Sequence, residues 1–446
     1  MLTAARLGAA ALTAALLTGT AAAPAFADTP APGSPGATGP TAPAATPDGL
    51  YGKGDPSYDG VWRQSLALTA LAAAKATPAD SAVGWLTGQQ CADGGWPSYR
   101  ADAATACDAK LEDSNATAVA VQALVALGGH QDAVDKGVQW LKANQNADGS
   151  WAFNPDNPGD ADSTGLAVNA LLAAKVDPAG VAKAGKNAFD GLAAFQLGCA
   201  APADQRGAFV YQAAQPGGPA AEANALASGQ ASLAATGGKL PVANTNRTDA
   251  APKALSCPDG AASGATGTAP VARADSGEAV GAYLTAQLAA NGQHLMLTMP
   301  GAAPTPDYTA TAWAALGLIQ GGHPQQAAGA VDWLAKEAGT WTKGGTDAAA
   351  TATLLLVAQA AQRDPRAFGG ADLVGQLTAL GPAPKAAAGT SAGASAGASA
   401  SPTASAPAKK DEDGGIGKFW LLGVGLLIGI GGGLLLSLQR KRGAKL

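Results

Sequence analysis

A short segment built on Trp-Leu recurs along this chain, and it restricts the fold more tightly than anything else in the sequence. Trp85-Leu86 is followed by Gln90, Asp93-Gly94 and Trp96. Trp140-Leu141 is followed by Gln145, Asp148-Gly149 and Trp151 at the same offsets. A weaker copy places Tyr283-Leu284, Asn291-Gly292 and His294 at those offsets, and a truncated one pairs Trp333-Leu334 with Trp341. Repetition of this kind means one supersecondary unit used several times, each burying its apolar face against its neighbours. A second pattern precedes each aromatic. Asp113, Asp162, Asp307 and Asp347 open Ala-rich runs, and the spacings Asp59 to Trp85, Asp113 to Trp140, Asp162 to Phe189 and Asp307 to Trp333 are nearly constant. Aspartate caps helix N-termini by accepting bonds from the free amides of the first turn. The apolar positions behind it follow helical rather than alternating spacing. Gly128-Gly129, Asp177-Pro178 and Gly321-Gly322 mark turns into second helices that carry the Trp-Leu pair and end at the Asp-Gly turn. The expectation is an all-α domain of about six helical hairpins, the Ala-rich helices inside, with residues 237–274 an irregular insertion containing Cys257.

The ends of the chain carry different signals. Arg6, an apolar stretch from Leu7 and the small-x-small site Ala25-Phe26-Ala27 read as a secretory signal. Phe419 to Leu438 is an uncharged apolar run long enough to span a bilayer, and Arg440, Lys441, Arg442 and Lys445 follow it. Basic residues directly after a span stay on the cytoplasmic side, so the expected topology is single-pass, with the N-terminal domain extracellular and the C-terminal tail cytoplasmic. The organisation expected is a signal peptide (1–27), a Pro/Ala/Gly-rich linker (28–57), the helical domain (58–381), an Ala/Ser/Gly/Pro-rich linker (382–417), a membrane helix (418–438) and a basic tail (439–446).

Outside the signal, the anchor and its tail, 22 Lys and Arg face 33 Asp and Glu. So acidic a domain is a poor partner for nucleic acid or anionic lipid and accommodates cationic or neutral ligands. Four cysteines remain: Cys91, Cys107, Cys199 and Cys257. An even count in an exported protein points to two disulfides, and the local pairing Cys91–Cys107 with Cys199–Cys257 is preferred among the three connectivities. With no Cys-x-x-Cys pair and only scattered histidines, no metal site and no cofactor are expected.

The run Gln-x-x-Asp-Gly-x-Trp after a Trp-Leu helix resembles the QW repeat of terpenoid cyclases (squalene cyclase-type) and protein prenyltransferases. The resemblance implies an α/α toroid of inner and outer helix rings, in which Gln90, Asp93, Trp96, Gln145, Asp148 and Trp151 are structural. The same toroid occurs in the vitamin B12 carriers of the transcobalamin and intrinsic factor family, which are likewise secreted and disulfide-bonded. Asp160-Ala-Asp162-Ser163-Thr164 is similar to the Asp-x-Asp-Asp-Thr motif of class II terpene cyclases, where a carboxylic acid protonates the substrate. Ser163 replaces the last aspartate, and a capping role explains Asp162 without chemistry. The Cys-Gly-Glu-Gln of thioester domains and the zinc set of the prenyltransferases are not found.

The leading expectation is therefore a non-catalytic, membrane-anchored toroid that binds a small apolar or corrinoid-like molecule, or docks a membrane transporter or envelope protein. The rivals are a terpene cyclase-like enzyme using Asp162 as general acid with Asp160 beside it, and a structural cell-envelope protein whose toroid only contacts other proteins. Any site is expected at the mouth formed by the inner-helix N-termini, where helix dipoles and free amides converge. Asp113, Asp162, Asp307 and Asp347 would line it, with Tyr308 and Trp313 for stacking.

Overall fold

A computed structural model describes residues 47–214, 220–243, 247–248, 250–258, 270–299 and 301–385. The chain divides into a unit ending at Ala44 and a second beginning at Ala45, and every described residue falls in the second. Among the described residues are 13 α-helices: α1 (Pro56–Ala73), α2 (Asp80–Gly88), α3 (Ser114–Leu127), α4 (Gln131–Ala143), α5 (Ala161–Ala173), α6 (Ala188–Ala193), α7 (Ala225–Ala235), α8 (Arg273–Ala290), α9 (Tyr308–Gln320), α10 (Pro324–Lys336), α11 (Ala338–Trp341), α12 (Ala348–Ala360) and α13 (Leu373–Ala379). Two small antiparallel hairpins interrupt them. In one, β1 (Ala182–Lys183) pairs with β2 (Lys186–Asn187); in the other, β3 (Leu295–Leu297) pairs with β4 (Thr305–Asp307), with Leu295 opposite Asp307.

The helices close a ring. α1 packs on α3, α3 on α5, α5 on α7, α7 on α9, α9 on α12, and α12 returns to α1. Outside these six, α2, α4, α6, α8, α10 and α13 each pack on the helix that precedes them in a hairpin. The six-hairpin, all-α arrangement expected from the repeat is what an α/α toroid requires, with α11 an extra single turn.

Composition explains which ring a helix joins. α5 buries every residue except Leu172, and α12 every residue except Ala349 and Gln359. α4 buries only Val134, Gly137, Val138, Trp140 and Leu141, one stripe facing inward. Helices buried on all sides must be small enough to touch through their backbones. A Cβ on Gly165 would stand 3.2 Å from Ala231 Cα, and one on Gly229 would stand 2.9 Å from the Ala310 carbonyl oxygen. Neighbouring inner helices thus meet around the ring through Ala- and Gly-rich surfaces.

Two features extend past the expected limits. Tyr51 is fully buried, its amide donates to Gln64 Oε1 at 2.8 Å, the Gly52 amide bonds Leu380 O at 2.9 Å, and the Lys385 amide bonds Thr77 O at 2.9 Å. Residues 47–57 and 382–385, expected in linkers, are therefore part of the packed body, because closing a ring needs its first and last segments to meet. The insertion after α7 crosses the inner-helix C-termini. The Leu240 amide donates to Gln122 Oε1 on α3 at 2.8 Å, Arg247 Nη2 to Ala360 O at 3.3 Å, and the Thr248 amide to Gly322 O at 2.8 Å. Cys257 then ties this strap to Cys199, and Cys91 is bonded to Cys107, as preferred from the sequence. The expected signal peptide, residues 28–46 and 386–417 of the linkers, the membrane helix and the tail lie outside the described residues. No helix among the described residues is long and apolar enough to cross a membrane.

Candidate functional site

One capping unit builds the N-terminal mouth of the ring. Asp113, Asp160, Asn224, Asp307 and Asp347 are the N-caps of α3, α5, α7, α9 and α12, and each accepts a bond from a first-turn amide. Four residues on stand Thr117, Thr164, Ser228, Thr311 and Thr351. The first four of these hydroxyls each accept the amide of a residue in the turn leading into the helix: Trp96, Trp151, Phe209 and Leu295, at 2.9–3.0 Å. The same segments knit the mouth together sideways. The Val61 amide donates to Ser98 O, that of Ser114 to Phe153 O and that of Ala161 to Tyr211 O, each at 2.9 Å.

The repeat residues hold this frame from outside. Trp96 Nε1 donates to Leu86 O at 2.9 Å and Trp151 Nε1 to Leu141 O at 2.7 Å, and both indoles are fully buried. Gln90 Nε2 bridges Gly94 O and Ala133 O; Gln145 Nε2 bridges Gly149 O and Val181 O. Asp93 and Asp148 each accept the amide two residues on, which shapes the turn. A third copy, missed in the sequence, is Gln196 with Gly207 and Phe209: Gln196 Nε2 bridges Gly207 O and Ser276 O, both at 3.0 Å. Residues inserted around Cys199 stretch the Gln-to-Gly spacing and hide it. In the fourth copy Leu295, not His294, takes the place of Trp96. Leu295 is buried on the Thr311 hydroxyl, while His294 stacks on Trp333 at 4.6 Å.

Two of the expected site residues belong elsewhere. Trp313 lies within the α7–α9 contact, 1% exposed, where a Cβ on Gly229 would stand 3.3 Å from its own Cβ. Tyr308 stacks on Trp333 and Trp341, with ring centroids 5.0 and 5.7 Å apart, on the outer side of α9. Neither offers a free face at the mouth. Asp347 caps α12 and pairs with Lys343 at 3.0 Å. In α1, Asp59 sits one turn inside the helix, which Asp55 caps, and it pairs with the buried Arg63; Gln64, three residues after Val61, accepts the Tyr51 amide as Thr117 accepts that of Trp96.

The rest forms an acidic centre. Asp113 accepts the Asn115 and Ala116 amides on Oδ1 and the Ser98 hydroxyl on Oδ2. Asp160 accepts the Ser163 amide at 2.7 Å and its hydroxyl at 2.9 Å. Asp162 was expected to be the cap of α5, but Asp160 holds that place and Asp162 stands two residues further in. There it is 8% exposed, and Oδ1 has no hydrogen-bond partner. The equal spacing to Phe189 misled because β1, β2 and their turns lie between.

Burial pushes Asp113 and Asp160 up to about 6 against the hydrogen bonds that favour their charged forms. Burial, with the negative charges of Asp160 and Asp307, holds Asp162 well above the usual carboxylate range. Asp307 is also raised by burial. The Tyr211 phenol is pushed up by burial and then by the charges of Asp160 and Asp162, and the Tyr211 carbonyl accepts the Ala161 amide between them. Tyr211, Glu222, Asn224 and Met299 line an open depression of about 640 Å³ next to this pair. Two turns along the same face of α5, Asn169 is fully buried with Oδ1 and Nδ2 both unpartnered. The arrangement can store protons, and it presents carboxyl oxygens to a hydrogen-bonding or cationic group.

Residues 46–177 match the family model of the squalene-hopene cyclase C-terminal domain. No curated protein matches the chain. Among solved structures it is similar to a protein from Actinoplanes, at 14% identity and a TM-score of 0.42, over 71% of this chain and 95% of that one.

Proposed function

From a squalene-cyclase-type repeat, carried by residues 46–177, we propose a binding or docking module, anchored at the outer face of a membrane by its C-terminal apolar run. Its ligand site is the acidic mouth. The observation that carries this reading is Asp162: a buried carboxyl group with an unpartnered oxygen, flanked by Asp160 and Asp307 and next to the Tyr211 depression. A group left unsatisfied in a packed interior costs stability, and a ligand that supplies a donor offsets that cost. The ligand class that fits is a small molecule with a cationic or donor-bearing end; cobalamin-like compounds, suggested by the likeness to secreted toroid carriers, are the first to test. The burial of α5, α9 and α12 on nearly every side favours capture at the mouth over enclosure within the ring. Native mass spectrometry of the full chain in detergent, with corrinoids and with simple amines, tests it. A micromolar adduct that Asp162→Asn abolishes is expected; no adduct with either class removes the reading.

One observation favours a second reading. A carboxyl group whose pKa is raised at a helix start suits a general acid, and burial, with the charges of Asp160 and Asp307, raises that of Asp162. Incubation with squalene-like and diphosphate isoprenoids decides: product formed by the parent chain and lost in Asp162→Asn would establish chemistry in place of capture.

A further inference from the structure

Directly before Asp113, the loop between α2 and α3 holds a second buried carboxyl group with an unpartnered oxygen. Glu112 is 1% exposed, and its Oε2 has no hydrogen-bond partner. A carboxylate oxygen of Glu112 and the sulfurs of Cys91 and Cys107 all lie within 4.8 Å of one another. Gly95 makes the approach possible: a Cβ there would stand 2.2 Å from Glu112 Oε2 and 2.4 Å from Trp140 Nε1. The two cysteines differ in exposure: Cys91 is 5% exposed, whereas Cys107 is half-buried on the largely exposed 99–111 loop. The Cys199–Cys257 bond has no such carboxyl neighbour among the described residues.

We propose that Cys91–Cys107 is a reactive disulfide, a modification site for thiols, with Glu112 as the built-in proton donor for exchange. An external thiolate attacks Sγ of Cys107, the less buried of the two residues. The S–S bond breaks, and its electron pair leaves on Cys91 Sγ. The Glu112 carboxyl group gives that buried sulfur a proton, so no unpaired thiolate is left in the interior. The products are a mixed disulfide on Cys107, a thiol on Cys91 and a Glu112 carboxylate that solvent reprotonates. A dithiol reductant completes the reduction with its second sulfur and is itself oxidised. Burial pushes Glu112 up to about 7, helped by the Asp93 charge and opposed by the Trp140 indole and Arg100, the groups that face it. The donor form is therefore populated at and below neutrality.

The test is the rate at which dithiothreitol reduces each disulfide in the full chain, read by alkylation and peptide mass spectrometry and expressed per dithiothreitol thiolate. For Cys91–Cys107 this rate is expected to fall about tenfold from about pH 6 to about pH 8.5 as Glu112 ionises. Glu112→Gln should be slow at low pH and flat throughout, and Cys199–Cys257 should be flat in both proteins. A flat profile in the parent chain overturns the proposal without recourse to any variant. So does a Glu112→Gln profile that keeps the fall, or shifts uniformly without changing shape, since loosened packing alone would do that.

Discussion

Buried carboxyl groups set the behaviour of single residues here. Asp113, Asp160 and Asp162 have folded-state pKa values raised above their unfolded ones. The folded chain then keeps protons that the unfolded chain releases, and the stabilisation is complete below the ordinary carboxylate range and lost as pH rises through the raised values. Thermal unfolding should accordingly shift down between about pH 4 and about pH 7. Asp162→Asn keeps the volume and removes the charge. It should raise the melting temperature near neutrality by about 2–4 °C and flatten the pH dependence, as differential scanning fluorimetry would read. A variant as pH-sensitive as the parent would show that Asp162 is not the group that carries the effect. Asp113 should behave differently. Its carboxylate satisfies two amides and a hydroxyl, so Asp113→Ala should cost about 1–2 kcal/mol in denaturant unfolding.

Secondary-structure elements meet in two repeated ways: a hydroxyl on each inner helix receives the turn before it, and glycines let inner helices touch. Thr164→Val leaves the buried Trp151 amide without an acceptor and should cost about 1–3 kcal/mol. Gly317→Ala places a Cβ 1.7 Å from Ser232 Oγ. Forcing α7 and α9 apart should cost about 1–3 kcal/mol, and the double change with Ser232→Gly should recover part of that in a denaturant titration. At this scale the sequence was legible wherever the repeat kept its spacing. The Trp-Leu helices, the Gln bridges and the caps Asp113, Asp307 and Asp347 follow from offsets along one chain. Gln196 and Phe209 escaped because an insertion changed an offset while the hydrogen bonds stayed. Asp162 was placed wrongly for the converse reason: the offset was kept while two strands took up part of it.

The whole molecule depends on closure. The strap over the inner-helix C-termini is irregular, and the Cys199–Cys257 bond closes a loop 58 residues apart in sequence. Changing both cysteines to serine should lower stability by about 4 kcal/mol on a chain-entropy estimate, and limited proteolysis should then cut first between residues 240 and 258. Uncut strap at native protease levels would show that Gln122, Gly322 and Ala360 hold it unaided. By itself the sequence determined the unit, its rough number, its all-α character, the preferred cysteine pairing and the acidity of the mouth, because each is written in local spacing or in composition. Only the tertiary structure decided which aspartate caps α5 and which is left buried without a partner. It likewise decided that Trp313 and Tyr308 are spent on packing and that Glu112 faces a disulfide. Those outcomes turn on which surfaces meet when a ring closes, and residues distant in the chain set that geometry together.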